Sequence, residues 1–159
     1  MPERTPLTRS EMMSRIGAKN TAPELRVRLG LHRRGFRYRL HRKDLPGKPD
    51  IVLPRHNAVI MVHGCFWHGH QRCRYFRLPR SNVEFWKDKI QKNRNRDDRQ
   101  INELIRLGWR VSVVWECATR KLPTELLIDK IAVWLSGSEI VNEIAEHTGA
   151  SEEVELRTI

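Results

Sequence analysis

The chain has 159 residues, about one domain's worth and enough to bury a core without disulfide staples. Thirty Lys and Arg against 19 Asp and Glu leave a formal net charge of +11, which in a folded domain points to a polyanionic partner, most often nucleic acid. Five Trp and four Phe argue against disorder, three Cys without an apolar leader argue against an exported disulfide scaffold, and no apolar run reaches the roughly 18 residues of a membrane helix, which leaves a basic, cytosolic domain.

A short helix is predicted from Arg9 to Ile16, with Met12, Met13 and Ile16 as its apolar positions. Thr21-Ala-Pro-Glu24 reads as the start of a second helix. Thr21 is its N-cap, Glu24 stands at the capping-box position and Gly35 supplies the stop. Leu25, Leu29, His32 and Phe36 recur along it at helical spacing, flanked by Val27 and Leu31. Arg37 to His41 reads as an edge strand. After the Pro46-Gly-Lys-Pro49 turn, short strands are expected at 50–53 and 58–62, the second apolar throughout, as suits a strand covered on both faces. Residues 63–79 are crowded with His, Cys, aromatic and basic side chains and have no period. A long helix or two joined ones follow from Asn82 to Leu107, then a strand from Arg110 to Trp115 and a helix from Thr124 to Leu135. That order predicts an α/β fold, a mixed sheet flanked by helices.

Charge divides the chain as well. Up to Leu135 there are 29 basic and 13 acidic residues; beyond it there are six acidic residues and only Arg157. The expectation is a basic helical arm over 1–20, a body over 21–135, and an acidic tail over 136–159 that forms a weakly packed helix or a disordered end.

Four groups of residues carry chemistry. Cys65, His70 and Cys73, with Cys117 downstream, form a tetrahedral zinc set, and a set of four protein ligands is closed and therefore structural. The competing reading is three unrelated buried cysteines. Asp50, at the start of a strand, is a candidate Mg2+ ligand, against a turn aspartate bonding its own backbone. His63-Gly-Cys-Phe-Trp-His68 supplies two imidazoles beside it, able to move a proton near neutral pH. Asp97 lies on the apolar stripe of Val83, Trp86, Ile90, Ile101 and Leu104, where an acid costs free energy unless paired or bound; Arg94 or Arg96 would be the salt-bridge partner. Phe66, Trp67 and Trp86 stand among Arg72, Arg74, Arg77, Arg80, Lys87, Lys89 and Lys92. Core filling is the default for any one aromatic, and Trp67 reads as facing DNA.

These segments resemble the very short patch repair (Vsr) endonucleases. The matching runs are Thr21–Glu24, Leu45-Pro-Gly-Lys-Pro-Asp50, His63–His68, Glu84-Phe-Trp86, Lys92-Asn93 with Arg96-Asp97, Leu107-Gly-Trp-Arg-Val111 and Val114-Trp-Glu-Cys117. The resemblance spans about residues 8–135 and omits the tail. It implies a restriction-endonuclease-like fold, a PD-(D/E)xK variant with a structural zinc loop. It implies a Mg2+-dependent nick 5′ of the T in a T:G mismatch left by deamination of 5-methylcytosine. Asp50 and the backbone carbonyl of Val62 would hold Mg2+; some relatives carry Thr at the second position. No E-x-K follows Asp50, and Val62-His63 stand in its place. His68 would be the general base, with His63, Glu24 and Asp97 ordering waters and the scissile phosphate. Phe66, Trp67 and Trp86 would form a wedge beside the mismatch, with Met13 crossing the duplex from the other groove. The implied partners are double-stranded DNA, a DNA cytosine-5 methyltransferase and mismatch-repair proteins, for a monomer in the bacterial cytoplasm, at the nucleoid. Two alternatives stay open: a restriction-type nuclease without mismatch preference, and a zinc-stabilised DNA-binding module without catalysis.

Overall fold

Strands that are apolar at consecutive positions need cover on both faces, and the computed structural model supplies it. It describes residues 6–14 and 19–147. In chain order the elements are α1 (Arg9–Ser14), α2 (Ala22–Arg33), β1 (Arg39–Leu40), β2 (Ile51–Leu53), a 3-10 turn at Pro54–His56, β3 (Ala58–His63), α3 (Val83–Arg106), β4 (Arg110–Trp115), α4 (Glu116–Lys121), α5 (Thr124–Ser136) and β5 (Val141–Ile144). The strands form one mixed sheet in the order β1-β2-β3-β4-β5, antiparallel up to β3 and parallel from β3 onward. Ile51, Leu53, Ile60 and Val62 pack with Val27, Leu31, Leu127, Ile128 and Ile131 of α2 and α5. Their neighbours Val52, Val59, Met61 and Val111 pack with Leu104 of α3 on the opposite face. The period of two along each strand therefore divides one apolar run between two cores.

The predicted elements of the body are present, with three corrections. Leu25 and Leu29 are exposed, and the buried face of α2 carries Glu24, Val27, Arg28 and Leu31. Gly30 is the reason: a Cβ there would lie 2.5 Å from Ile128 Cγ1, so only this face lets α5 approach. The short helix α4 follows β4 directly where no element was predicted. The third correction concerns the acidic tail. Residues Val141–Ile144 pair in parallel with β4, and Ile144 is buried in the main core. Low apolar density hides this strand in the sequence, yet β4 would otherwise leave a row of backbone groups unpaired. The body thus runs at least to residue 144 instead of 135. Ile16 and residues 148–159 lie outside the described residues.

Candidate active site and metal loop

Antiparallel pairing of β2 with β3 sets the start of one strand beside the end of the other. Asp50, just before β2, therefore meets the end of β3, and its Oδ2 accepts the Val62 N–H at 2.7 Å. Glu24 reaches the same place from the first turn of α2. Its N–H is capped by Thr21 Oγ1, while its carboxylate accepts the Asn20 N–H at 3.1 Å, one residue earlier than a standard capping box. Between the two carboxylates stands His41, whose Nε2 is 3.5 Å from Glu24 Oε2 and whose Nδ1 is 3.9 Å from Asp50 Oδ1. Glu24, His41 and Asp50 line a cleft of about 440 Å³ together with Val62, His63, His68 and Asp97; Lys19, Lys48 and Arg96 add positive charge to it. Burial, with Glu24 close by, pushes the Asp50 carboxyl up to about 7, against the opposing pull of the Val62 N–H.

Across the cleft, His68 Nδ1 lies 2.5 Å from Asp97 Oδ2. Asp97 is thus buried with an imidazole as its main partner and Arg96 as a looser ion-pair partner, whereas Arg94 is engaged elsewhere. Arg96 stays 3.9 Å away, and Arg94 donates to the Gly69 carbonyl. Gly69 permits that contact: its φ is +60°, and a Cβ would sit 2.4 Å from Arg94 Nε. With Nδ1–H given to Asp97, a neutral His68 ring carries its free lone pair on Nε2. The His63 ring stacks on that of His68 with centroids 3.8 Å apart. Burial, then the nearby His68 and Arg96, hold His63 well below the ordinary histidine range, so it is neutral near pH 7.

Cys65, His70, Cys73 and Cys117 present donor atoms that all lie within 4.8 Å of one another. His70 Nδ1 is 3.5 Å from Cys65 Sγ and 3.6 Å from Cys117 Sγ. A tetrahedral ion with ordinary Zn–S and Zn–N bonds separates such donors by about 3.6 Å, so the set fits zinc. Cys65 Sγ accepts the Cys117 N–H and Cys117 Sγ accepts the Glu146 N–H, both at 3.3 Å, as thiolate ligands require. The Cys65 thiol is pushed up by Cys117 beside it and by burial, and Cys65 together with His70 holds Cys117 down.

Phe66, Trp67 and Trp86 meet edge to face, with centroids 5.3–5.7 Å apart. Phe66 and Trp86 are buried and Trp67 is half-buried, with Met13 packed against them. Helix α1 covers the group: Trp86 Nε1 donates to Ser10 Oγ at 2.9 Å, and Arg9 lies over Phe66.

Sequence reasoning missed two residues. His41 was read only as the end of a strand; no spacing links it to Asp50, and only strand pairing, with the His41 N–H on the Asp50 carbonyl, brings them together. Glu116 accepts the Cys65 N–H at 3.2 Å and thereby ties the turn after His63 to α4.

With this geometry in view, comparisons with known proteins agree among themselves. The family model for DNA mismatch endonuclease Vsr matches residues 2–74. The DNA mismatch endonuclease Vsr of Escherichia coli strain K12 is 44% identical over 133 residues, covering 82% of this chain and 85% of its own. The type II nicking enzyme V.XorIIP of Xanthomonas oryzae pv. oryzae is 53% identical over 113 residues, 71% of this chain and 82% of its own. A third relative, the type II nicking enzyme V.NmeAIP of Neisseria meningitidis serogroup A, is 49% identical over 109 residues, 69% of this chain and 77% of its own.

Proposed function

We propose, for a chain that belongs to the Vsr family of DNA mismatch endonucleases, a nick on the 5′ side of the T in a T:G mismatch. The chain is a DNA endonuclease, and the observation that carries the finer reading is the His68–Asp97 pair facing Asp50 across one cleft. Asp50 and the Val62 carbonyl would hold Mg2+, a hard cation suited to oxygen donors. When bound, Mg2+ stabilises the charge that develops on the phosphate and the leaving 3′ oxygen.

The remaining work falls to the protein's own side chains. Asp97 holds His68 in the tautomer whose Nε2 takes a proton from the attacking water. His63, buried and neutral, keeps the His68 ring in place by stacking. Glu24 and Asp97 order water and the scissile phosphate, while Lys48 and Arg96 bring positive charge to the cleft. Zinc on Cys65, His70, Cys73 and Cys117 pins the loop that carries His68 and two of the wedge aromatics. In this reading the sheet is a restriction-endonuclease-like core in which Val62-His63 replace the usual E-x-K. Phe66, Trp67 and Trp86 insert beside the mismatch once α1, with Met13, separates from them. A T:G wobble stacks less well than a matched pair, so opening it costs less. The enzyme acts as a monomer at the bacterial nucleoid, alongside a DNA cytosine-5 methyltransferase and mismatch-repair proteins.

The nicking enzymes among its relatives favour a second reading, a nickase that works on paired duplex. A single-turnover assay with Mg2+ separates the two, using one T:G duplex in several flanking contexts and its fully paired counterparts. The expected result is cleavage only beside the T, slowed about 10²–10⁴-fold in H68A. Equal cutting of paired duplexes would favour the second reading, and tight binding without cutting would leave a binding module.

A further inference from the structure

Resting on that reading of the cleft, we propose that His41 is a direct donor to the catalytic cation. His41 then joins Asp50 and the Val62 carbonyl, beside Glu24, in a site that favours a transition-metal ion such as Mn2+ over Mg2+. Glu24, His41 and Asp50 each offer a ligand atom, all within 4.8 Å of one another. Two donors bound at ~2.1 Å lie about 3.0 Å apart at a right angle and about 4.2 Å apart across the ion. The separation of 3.5 Å from His41 Nε2 to Glu24 Oε2 falls inside that window, while Asp50 Oδ1 lies 3.9 Å from the other ring nitrogen, Nδ1.

The hydrogen bonding leaves room for the same role. Asp50 Oδ2 is taken by the Val62 N–H, and Oδ1 is the oxygen turned toward His41. His41 Nε2 is buried and has no hydrogen-bond partner, although it faces a carboxylate. A polar nitrogen left so costs free energy unless something binds it. The backbone adds a second cost. His41 has φ +47°, a left-handed conformation unfavourable for a side-chain-bearing residue, and its N–H is tied to the Asp50 carbonyl at 3.3 Å. The chain is therefore held in a strained conformation that keeps this imidazole at Asp50. An imidazole among carboxylates shifts the site from the all-oxygen coordination Mg2+ prefers toward borderline metals.

The test uses the full chain with its zinc site filled and Mn2+ as the probe. Pulsed electron paramagnetic resonance reads nitrogen bound directly to the ion. The expected spectrum shows 14N coupling from one imidazole, lost in H41N and kept in H63N and H68N. Asparagine tolerates the left-handed backbone, so H41N removes the ring and spares the fold. H41N should bind Mn2+ at least about tenfold more weakly, the lower end of what losing even an outer-sphere partner costs. Its preference for Mn2+ over Mg2+ should fall with it. Should H41N not fold, 15N-labelled histidine in the wild type, read against H63N and H68N, assigns the nitrogen by elimination. Coupling absent from the wild type, or unchanged in H41N, overturns the proposal. If such a protein still nicks the T:G duplex, the mismatch reading survives that loss. Coupling through His41 without nicking of any duplex would instead uphold the donor and sink the mismatch reading.

Discussion

Asp50 ionises against its surroundings, because burial and the nearby Glu24 carboxylate outweigh the Val62 N–H that favours its charge. A carboxyl raised to about 7 has a definite linkage sign. The folded state binds its proton more tightly than the unfolded chain. That contribution is complete below about pH 4 and is lost as pH rises through 7. In Mg2+-free buffer, D50N should therefore be more stable than the wild type at pH 8, on the order of 3 kcal/mol. The advantage should close toward pH 4, while nicking by D50N, assayed separately with Mg2+, is abolished. Urea melts at both pH values check this, and equal stabilities at pH 8 would mean that Asp50 ionises freely. The two histidines divide along the same physical line: His63 is buried and neutral, whereas His68 is part-exposed to the cleft and oriented by Asp97.

Elements act here through what their ends deliver. Strand β5 completes the sheet beside β4 and buries Ile144, and the segment after it brings the Glu146 N–H to Cys117 Sγ. Glu143 on β5 accepts from Trp115, whose ring stacks on His70 at 4.0 Å. A segment outside the motif-bearing body thus supports the Cys/His cluster. The I144A variant should lose about 2–5 kcal/mol, because it empties a core site, and V141A, truncating an exposed side chain, should change stability by less than about 0.5 kcal/mol. Denaturant titration of both decides the matter; equal, small effects would return β5 to the status of a loose tail.

At the scale of the whole molecule, a net charge of +11 makes binding to DNA depend on counterion release. Affinity for paired duplex should fall about 10³-fold or more between 50 and 200 mM salt, as for a protein neutralising six or more phosphates. On the proposed mismatch reading, the preference for T:G over paired duplex should change far less, since stacking and base-pair opening release few ions. Fluorescence anisotropy across that salt range measures both. An affinity indifferent to salt would contradict an interface built on Lys and Arg.

Local signals were enough for much of this protein. Strand 58–62 is apolar at every position, the helix from 82 to 107 is long and periodic, and Cys65, His70, Cys73 and Cys117 have a ligand chemistry independent of their surroundings. Asp97 was conspicuous because an acid on an apolar stripe needs a partner. The nearest partner was a tertiary matter: His68 reaches it across a 29-residue separation at 2.5 Å, closer than the neighbouring Arg96 at 3.9 Å. Tertiary structure alone also decided which face of α2 is buried, that residues 141–144 form a strand, and that His41 stands between Glu24 and Asp50. Periodicity reports only that one face of an element is apolar. Which face is covered, and which distant residue closes a site, depends on strand pairing and close helix approach, which couple positions that no local pattern connects.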